Sequence, residues 1–133
     1  MISVLATREG LTGQKTSTGY LIEPFTPFVA LPSDAALRQW IVVHNPRNGK
    51  AMRALVLDVG PWNIHDHAYV FQPATMGIVF QGTVPQGRIT RPQAESGKDK
   101  FGRKTNGAGI DLSERVWSEL GMVDNDQVLW EFV

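Results

Sequence analysis

The sequence lacks cysteine, so none of its 133 residues can form a disulfide, bind a metal through a thiolate or act as a cysteine nucleophile. It also lacks an excess of either charge, since 13 basic side chains balance 13 acidic ones. A chain with no net charge has no strong field to attract a polyanion, and we therefore expect neither nucleic acid nor a membrane as a partner. A neutral sugar polymer or a small polar ligand fits this balance better.

Long hydrophobic runs are absent as well. No apolar stretch is long enough to predict a membrane-spanning helix. The first nine residues do not show the basic segment and long apolar stretch that mark a secretion signal. We therefore expect a chain trimmed of its leader, export by another route, or a function inside a cell.

The composition, 42% apolar and 20% charged, is typical of one folded domain at this length. Residues 40–57 predict a β-hairpin, because an apolar strand on each side flanks a link that contains Asn48-Gly49, a strong hairpin signal. Other short apolar segments predict further strands at residues 2–6, 28–31 and 127–133. This pattern indicates a mainly β fold, expected to be a small barrel.

Little helix is expected. Residues 113–121 predict a short helix near the C-terminus, with Ser113 as its cap and Gly121 at its end. Residues 33–38 predict one helical turn capped by Ser33. Between the predicted strands, residues 62–109 are rich in Gly, Pro, Gln and Thr and predict a long inserted loop region, with one apolar patch at residues 76–80 as a possible short strand. Loops of this length are often functional.

Two aspartates lie where apolar segments end. Asp58 follows the apolar residues 55–57 and precedes a Gly-Pro turn, and Asp111 lies between Ile110 and the predicted helix. Each has a purely structural alternative, since Asp58 can anchor the turn through its own backbone and Asp111 can accept from the amides at the start of the helix.

Five short motifs occur in an order that resembles a known family. They are Thr-Ser-Thr-Gly at residues 16–19, Val-Ala-Leu-Pro at 29–32, Val-Val-His-Asn-Pro-Arg-Asn-Gly-Lys at 42–50, Asp-Val-Gly-Pro at 58–61, and Ile-Asp-Leu-Ser at 110–113 with Leu-Gly at 120–121. Their order resembles the double-psi β-barrel of rare-lipoprotein-A-like proteins, which are related to expansins and to several lytic transglycosylases. The resemblance covers most of the chain outside residues 62–109. It implies a six-stranded double-psi β-barrel with a groove that holds a glycan strand.

The resemblance also implies roles for the two aspartates. Residues of relatives that match Asp58 or Asp111 act as acid or base on a glycosidic bond, or bind a polysaccharide without cleaving it. Cleavage needs a proton for the leaving oxygen, and partial burial or a nearby like charge raises the pKa of a suitable acid. We therefore predict Asp111 and Asp58 as catalytic residues of a lytic-transglycosylase-like domain. Its expected partner is a strand of peptidoglycan or another polysaccharide, in the cell envelope or outside the cell.

Further candidates for substrate contact lie in the insertion, and Trp62 is the clearest because an indole ring offers a sugar both an apolar face and a polar edge. The other predicted contacts are His65, His67, Tyr69, Thr105 and Asn106. The two histidines also suggest metal ligands, but the sequence indicates no third ligand, so we predict no metal and no other cofactor. Of the remaining tryptophans, we expect Trp40, Trp117 and Trp130 in the core.

Two other functions stay open. Relatives often have an arginine at the position of Val59 and a histidine shortly before the Leu-Pro near residue 32, where this chain has apolar side chains around Ala30 and Leu31. The missing histidine favours an expansin-like module that binds glycan without cutting it, whereas the presence of both aspartates favours the cleaving domain. The missing secretion signal favours a structural or interaction domain inside a cell or a phage particle.

Overall fold

The computed structural model describes residues 1–73, 80–81, 84–85 and 90–133. Six strands close into a barrel, which confirms the prediction of a mainly β fold and of a six-stranded barrel. Its strands are β1 (Ile2–Arg8), β2 (Phe28–Leu31), β3 (Trp40–His44), β4 (Ala51–Val59), β7 (Ile110–Leu112) and β8 (Asp126–Phe132). A separate two-stranded sheet pairs β5 (Phe80–Gln81) with β6 (Val84–Pro85). The described helices are α1 (His67–Val70) and α2 (Glu114–Glu119), with short 3-10 turns at Asp34–Ala36 and Gln93–Ser96. None of the described helices is long and apolar enough to cross a membrane.

Around the barrel the strands follow the order β1-β7-β2-β4-β3-β8. Strand β1 runs parallel to β7, and β2 runs parallel to β4. The central β2 and β7 are antiparallel to each other. Two parallel pairs therefore meet side by side at one antiparallel junction, and both predicted aspartates lie on the strands of this junction region.

Strands β3 and β4 form the hairpin predicted from residues 40–57, with Trp40 opposite Leu55 and His44 opposite Ala51. Asn45 organises the turn: its side-chain oxygen accepts from the amide of Arg47 at 3.0 Å, and its side-chain nitrogen donates to the carbonyl of Leu120 at 2.8 Å. The turn thus connects the hairpin to the end of α2.

The barrel interior is filled by alternate residues of its strands, because successive side chains of a strand point to opposite faces. Trp130 is fully buried and Trp117 is nearly so, as predicted. The prediction for Trp40 is wrong, since this residue is 52% exposed. Ile41 and Val43 fill the interior from β3, and the alternation therefore turns Trp40 outward.

In its described part, the inserted region of residues 62–109 adds no strand to the barrel. It is more than the predicted loop, since it contains α1, the β5–β6 pair and the 3-10 turn at Gln93–Ser96. It is nevertheless joined to the core, because α1 buries Tyr69 and Val70 completely among the barrel residues. Of the apolar patch predicted as a short strand, residues 76–79 lie outside the described residues. Phe80 belongs to β5.

Helix α2 begins at the predicted cap, where the Ser113 side chain accepts from the amide of Val116. The strand β8 follows it and ends the fold. The predicted cap at Ser33 is wrong: residues 34–36 do form a short 3-10 turn, but the Ser33 hydroxyl makes no capping bond. It lies instead 2.6 Å from Nδ1 of His67, because the chain around residue 65 pairs with Ser33 and brings the imidazole within reach.

Candidate functional site

The two predicted aspartates lie at the same level of the barrel wall. In the parallel pair Asp58 stands opposite Ala30, and in the antiparallel pair Asp111 stands opposite the same Ala30. Residues directly opposite each other in a sheet point to the same face, and two strand spacings amount to about 9.6 Å between the outer Cα atoms. Asp58 and Asp111 therefore direct their carboxyl groups to one side, across a small residue.

A local irregularity sets the position of Asp58. The register between β2 and β4 shifts after Val29, so that Leu57 is an extra residue in β4. The carbonyl of Leu57 accepts instead from the hydroxyl of Thr18 at 2.9 Å. Such a bulge re-aims the next side chain, and here it brings Asp58 level with Asp111.

The Thr-Ser-Thr-Gly motif of residues 16–19 closes over Asp58. Oδ1 of Asp58 accepts from the Ser17 amide at 3.0 Å, from the Ser17 hydroxyl at 2.7 Å and from the Val59 amide at 2.9 Å. Burial acts to raise the pKa of Asp58, but the hydrogen bonds from Glu9, Ser17 and Val59 outweigh it and lower the pKa below its usual value. Asp58 is therefore held as an anion, and the turn-anchoring alternative describes part of its role.

Glu9 is a third carboxyl group of this site, and no motif in the sequence marks it. Its Oε2 atom is buried and accepts no hydrogen bond, so the charged form lacks compensation. Burial, then the hydrogen bond with Asp58, then the negative charges of Asp58 and Asp111 raise the pKa of Glu9 to about 9. Glu9 is therefore a neutral acid at pH 7 and donates its proton toward the Asp58 anion.

The pKa of Asp111 lies between those of Asp58 and Glu9. Burial raises the pKa of its carboxyl to about 6, with a hydrogen bond donated by the Thr7 hydroxyl opposing the rise and the negative charge of Asp58 adding to it. Thr7 is its direct neighbour in the parallel pair of β1 and β7. Ser113, not Asp111, caps α2, because its side chain accepts from the amide of Val116. The helix-capping alternative for Asp111 is therefore wrong. A carboxyl group that titrates near pH 6 can both release and accept a proton under mild conditions.

Asp111 opens onto a shallow cleft of about 490 Å³. The cleft is lined by Thr7, Arg8, Pro61, Trp62, Asn106, Asp111 and Asn125. Trp62 is 39% exposed, and its indole nitrogen donates to Oδ1 of Asn106 at 3.0 Å. Its φ of 70° lies in the left-handed region, which is uncommon for a bulky residue and recurs at functional sites. The predicted contacts Trp62 and Asn106 therefore share one wall beside Asp111.

The other predicted contacts lie elsewhere. Tyr69 is wrong as a substrate contact: it is fully buried, its hydroxyl donates to the carbonyl of Gly109 at 2.8 Å, and it accepts from the indole nitrogen of Trp130 at 2.9 Å. The hydroxyl of Thr105 donates within the insertion to the carbonyl of Ala94, and this side chain therefore has a structural role in the loop.

His65 and His67 are exposed but lie against Asp34. His65 lines a second cavity, of about 360 Å³, together with Asn63, Asp66, Gln93, Asp99 and Lys100. The structure therefore groups the two histidines with Asp34, a residue that the sequence analysis did not consider.

Three residues that act on the aspartates had no separate signal in the sequence. Glu9, Thr7 and Ser17 are distant from Asp58 and Asp111 along the chain and reach them through the barrel closure and the loop of residues 16–19.

A comparison with curated proteins gave no match. A comparison with protein-family models matched residues 1–130 to one family, described as Domain of unknown function (DUF8814). The match spans the insertion, the whole carboxyl cluster and all of the barrel except the last two residues of β8. The chain therefore belongs to the DUF8814 family.

Proposed function

We propose that this domain cleaves the glycan strand of peptidoglycan, or of a related polysaccharide, by a lytic-transglycosylase-like reaction at Asp111. The observation that carries the proposal is the convergence of Glu9, Asp58 and Asp111 beside an open cleft that bears an exposed tryptophan. Carboxyl groups with separated pKa values are what glycoside chemistry requires.

The order of the strands around the barrel supports the proposal that this six-stranded barrel is a double-psi β-barrel. In that fold parallel strand pairs interlock, and β1 with β7 and β2 with β4 are two such pairs around one antiparallel junction. The resemblance of the five motifs points to the same fold. Two of those motifs are in direct contact, since Ser17 of residues 16–19 donates to Asp58 at the start of residues 58–61.

Asp111 is the proposed acid. In its neutral form it delivers a proton to the glycosidic oxygen as the bond between that oxygen and the anomeric carbon breaks. The resulting Asp111 carboxylate then accepts the proton of a hydroxyl on the same sugar while that hydroxyl attacks the anomeric carbon. The products are a shortened strand and an anhydro-sugar, and the proton has returned to Asp111.

Asp58 and Glu9 are positioning residues in this proposal. The Asp58 anion raises the pKa of Asp111 and stabilises positive charge that develops at the sugar. Glu9, as a neutral acid, holds the Asp58 carboxylate by a hydrogen bond without adding a second charge. Trp62 offers its exposed indole as a platform for a sugar ring.

A second candidate is a module that binds glycan without cutting it. It is favoured by the side chain between the two aspartates, which is the methyl group of Ala30 and offers no imidazole to assist proton transfer. Under this alternative, the carboxylates and Trp62 serve as hydrogen-bonding and stacking contacts only.

Digestion of purified peptidoglycan sacculi separates the two. The protein is incubated with sacculi near pH 5.5, and released products are identified by mass spectrometry for the parent and for Asp111→Asn and Asp58→Asn. Asp124→Asn is the matched control, because this exposed aspartate bonds only to the next amide among the described contacts. Anhydro-sugar products that disappear in Asp111→Asn and persist in Asp124→Asn support cleavage. Retention of the protein on sacculi without products supports the binding module, and no retention contradicts both.

A further inference from the structure

A second group of ligating side chains lies away from the carboxyl cleft, formed by Asp34, His65 and His67. One nitrogen or oxygen atom of each lies within 4.8 Å of the others. Nδ1 of His65 is 3.5 Å from Oδ2 of Asp34, and Nε2 of His67 is 3.9 Å from Oδ1 of the same carboxylate. Two imidazoles therefore converge on one carboxylate, which is a ligand set of zinc and of other divalent transition metals.

The spacing of these atoms is near that of a tetrahedral metal site. With metal–ligand bonds of about 2.1 Å, two ligands at the tetrahedral angle are about 3.4 Å apart, whereas two adjacent ligands of an octahedron are about 3.0 Å apart. The 3.5 Å from Nδ1 of His65 to Oδ2 of Asp34 is close to the tetrahedral value. The 3.9 Å from Nε2 of His67 is measured to the other oxygen, Oδ1, so a rotation of the exposed Asp34 carboxylate is needed for one oxygen to complete the site with both histidines.

Backbone pairing brings the three side chains together. The Asp34 amide donates to the carbonyl of Ile64 at 2.9 Å, and the Asp66 amide donates to the carbonyl of Pro32 at 2.8 Å. Ser33 also forms a β-bridge with His65. The segments around residues 33 and 65 are thus joined on both sides of the cluster, so that little backbone ordering remains for binding.

The orientation of one imidazole is also fixed. The buried hydroxyl of Ser33 lies 2.6 Å from Nδ1 of His67. When Nδ1 donates its proton to this hydroxyl, Nε2 carries the free lone pair, and Nε2 is the atom that faces Asp34. A hydrogen bond on the far nitrogen is the usual support of a metal-binding histidine.

We propose that Asp34, His65 and His67 form a zinc site with three protein ligands and an open fourth position for water or a substrate atom. The side chains are half exposed, at 47% for each histidine and 49% for Asp34, so that the ion and a fourth ligand can reach them. This corrects the expectation that the two histidines lack a third ligand. The site is independent of the glycan proposal, since it uses none of the carboxyl groups of the cleft.

The test is zinc binding by chelator-treated, tag-free protein in isothermal titration calorimetry with ZnCl2. One equivalent is expected to bind, and His65→Ala, His67→Ala and Asp34→Asn are each expected to weaken binding at least about 10-fold, since each removes one of three ligands. Ser33→Ala is expected to weaken it about 10- to 100-fold through the lost support of His67. The matched control is His44→Gln, which removes the remaining histidine, on β3, and should leave binding unchanged.

Coordination geometry is read with cobalt as the probe. Co²⁺ in place of zinc is expected to give the intense visible absorption of a four-coordinate ion, and that absorption should be lost in the double variant His65→Ala/His67→Ala. Urea unfolding in the presence of EDTA shows that each variant is folded. The proposal is overturned if the parent binds no zinc, if the double variant still binds it, or if His44→Gln weakens binding as much as the triad variants. None of these readouts depends on glycan cleavage.

Discussion

Glu9 and Asp58 share a hydrogen bond between two carboxyl groups, and the two have opposite pKa shifts. Burial raises the pKa of Glu9 to about 9, whereas hydrogen bonds from Glu9, Ser17 and Val59 overcome burial and lower that of Asp58. Around neutral pH these shifts place the proton on Glu9 and the negative charge on Asp58. The charge that remains, on Asp58, is the one that acts on Asp111.

The buried Glu9 makes stability depend on pH. Its pKa is about 9 in the folded protein and about 4.5 in the unfolded chain, so the folded state binds the extra proton between these values. Stability from this group is complete below pH 4.5 and is lost as pH rises toward 9, by at most about 1.4 kcal/mol per pH unit. In Glu9→Gln the free energy of unfolding should fall less steeply between pH 6.5 and 8.5, because glutamine stays neutral. Asp111 contributes with the same sign, mainly below pH 6.

Urea unfolding across this pH window measures the slope, with Glu119→Gln on the exposed face of α2 as the control. Equal slopes for the parent and Glu9→Gln would show that Glu9 is ionised in the folded protein.

The hydroxyl of Thr7 tunes Asp111. In the proposed reaction Asp111 must be protonated, so the rate should fall about tenfold per pH unit above the pKa near 6. Thr7→Val keeps the shape of the side chain but removes the donor to the carboxylate, which raises the pKa of Asp111 and moves this limb to higher pH. Initial rates of anhydro-sugar release between pH 4.5 and 8 test the shift. Thr12→Val, in an exposed loop, should leave the profile unchanged, and a limb that moves to lower pH would contradict the role given to Thr7.

Trp62 is expected to contribute to glycan affinity. An aromatic contact is worth about 0.5–1.5 kcal/mol beyond buried area, so Trp62→Ala should weaken binding to sacculi roughly 2- to 13-fold. The control is Trp40→Ala, because Trp40 is more exposed than Trp62, at 52% against 39%, and lines a different surface with Arg38 and Arg53. Co-sedimentation at several glycan concentrations measures both. Equal losses in the two variants would point to non-specific adsorption of exposed indoles.

Close packing at Gly109 predicts a cost of added volume. A Cβ atom there would lie 2.9 Å from Cγ of Pro92 and from the hydroxyl of Tyr69, and 3.1 Å from Cβ of Val4. Gly109→Ala should therefore lower the free energy of unfolding by about 1–3 kcal/mol, the usual cost of overpacking. The urea midpoint measures it, and Ala51→Ser on an exposed strand position serves as the control. An unchanged midpoint would mean that the neighbours move aside freely.

The sequence predicted five of the six barrel strands, including the hairpin, because these depend on local alternation and on one Asn-Gly turn, both visible within a few residues. It did not predict the three-residue strand β7, which is too short to show a pattern of its own. It also singled out Asp58 and Asp111 by their place at the ends of apolar segments. Glu9 could not be predicted, because its raised pKa depends on burial and on Asp58, which lies 49 residues further along the chain. Neither is visible in the residues next to Glu9. Asp34 was missed for the same reason, since only the pairing near Ser33 brings it to the histidines. The predictions for Trp40 and Tyr69 were both wrong: Trp40 was expected in the core and is exposed, whereas Tyr69 was expected at the surface and is buried. The size of an aromatic side chain does not determine which face of its element it lies on.

The hydroxyl of Tyr69 bridges the carbonyl of Gly109 and the indole of Trp130, a residue of the last strand. Tyr69 comes from the insertion, and the insertion is therefore part of the hydrophobic core and cannot be deleted without damaging the barrel. A shortened version that joins β4 directly to β7 would leave a void the size of a phenol and would leave the buried indole nitrogen of Trp130 without its partner. A redesign with a short connection would therefore need another side chain that fills this space and accepts from the indole nitrogen of Trp130.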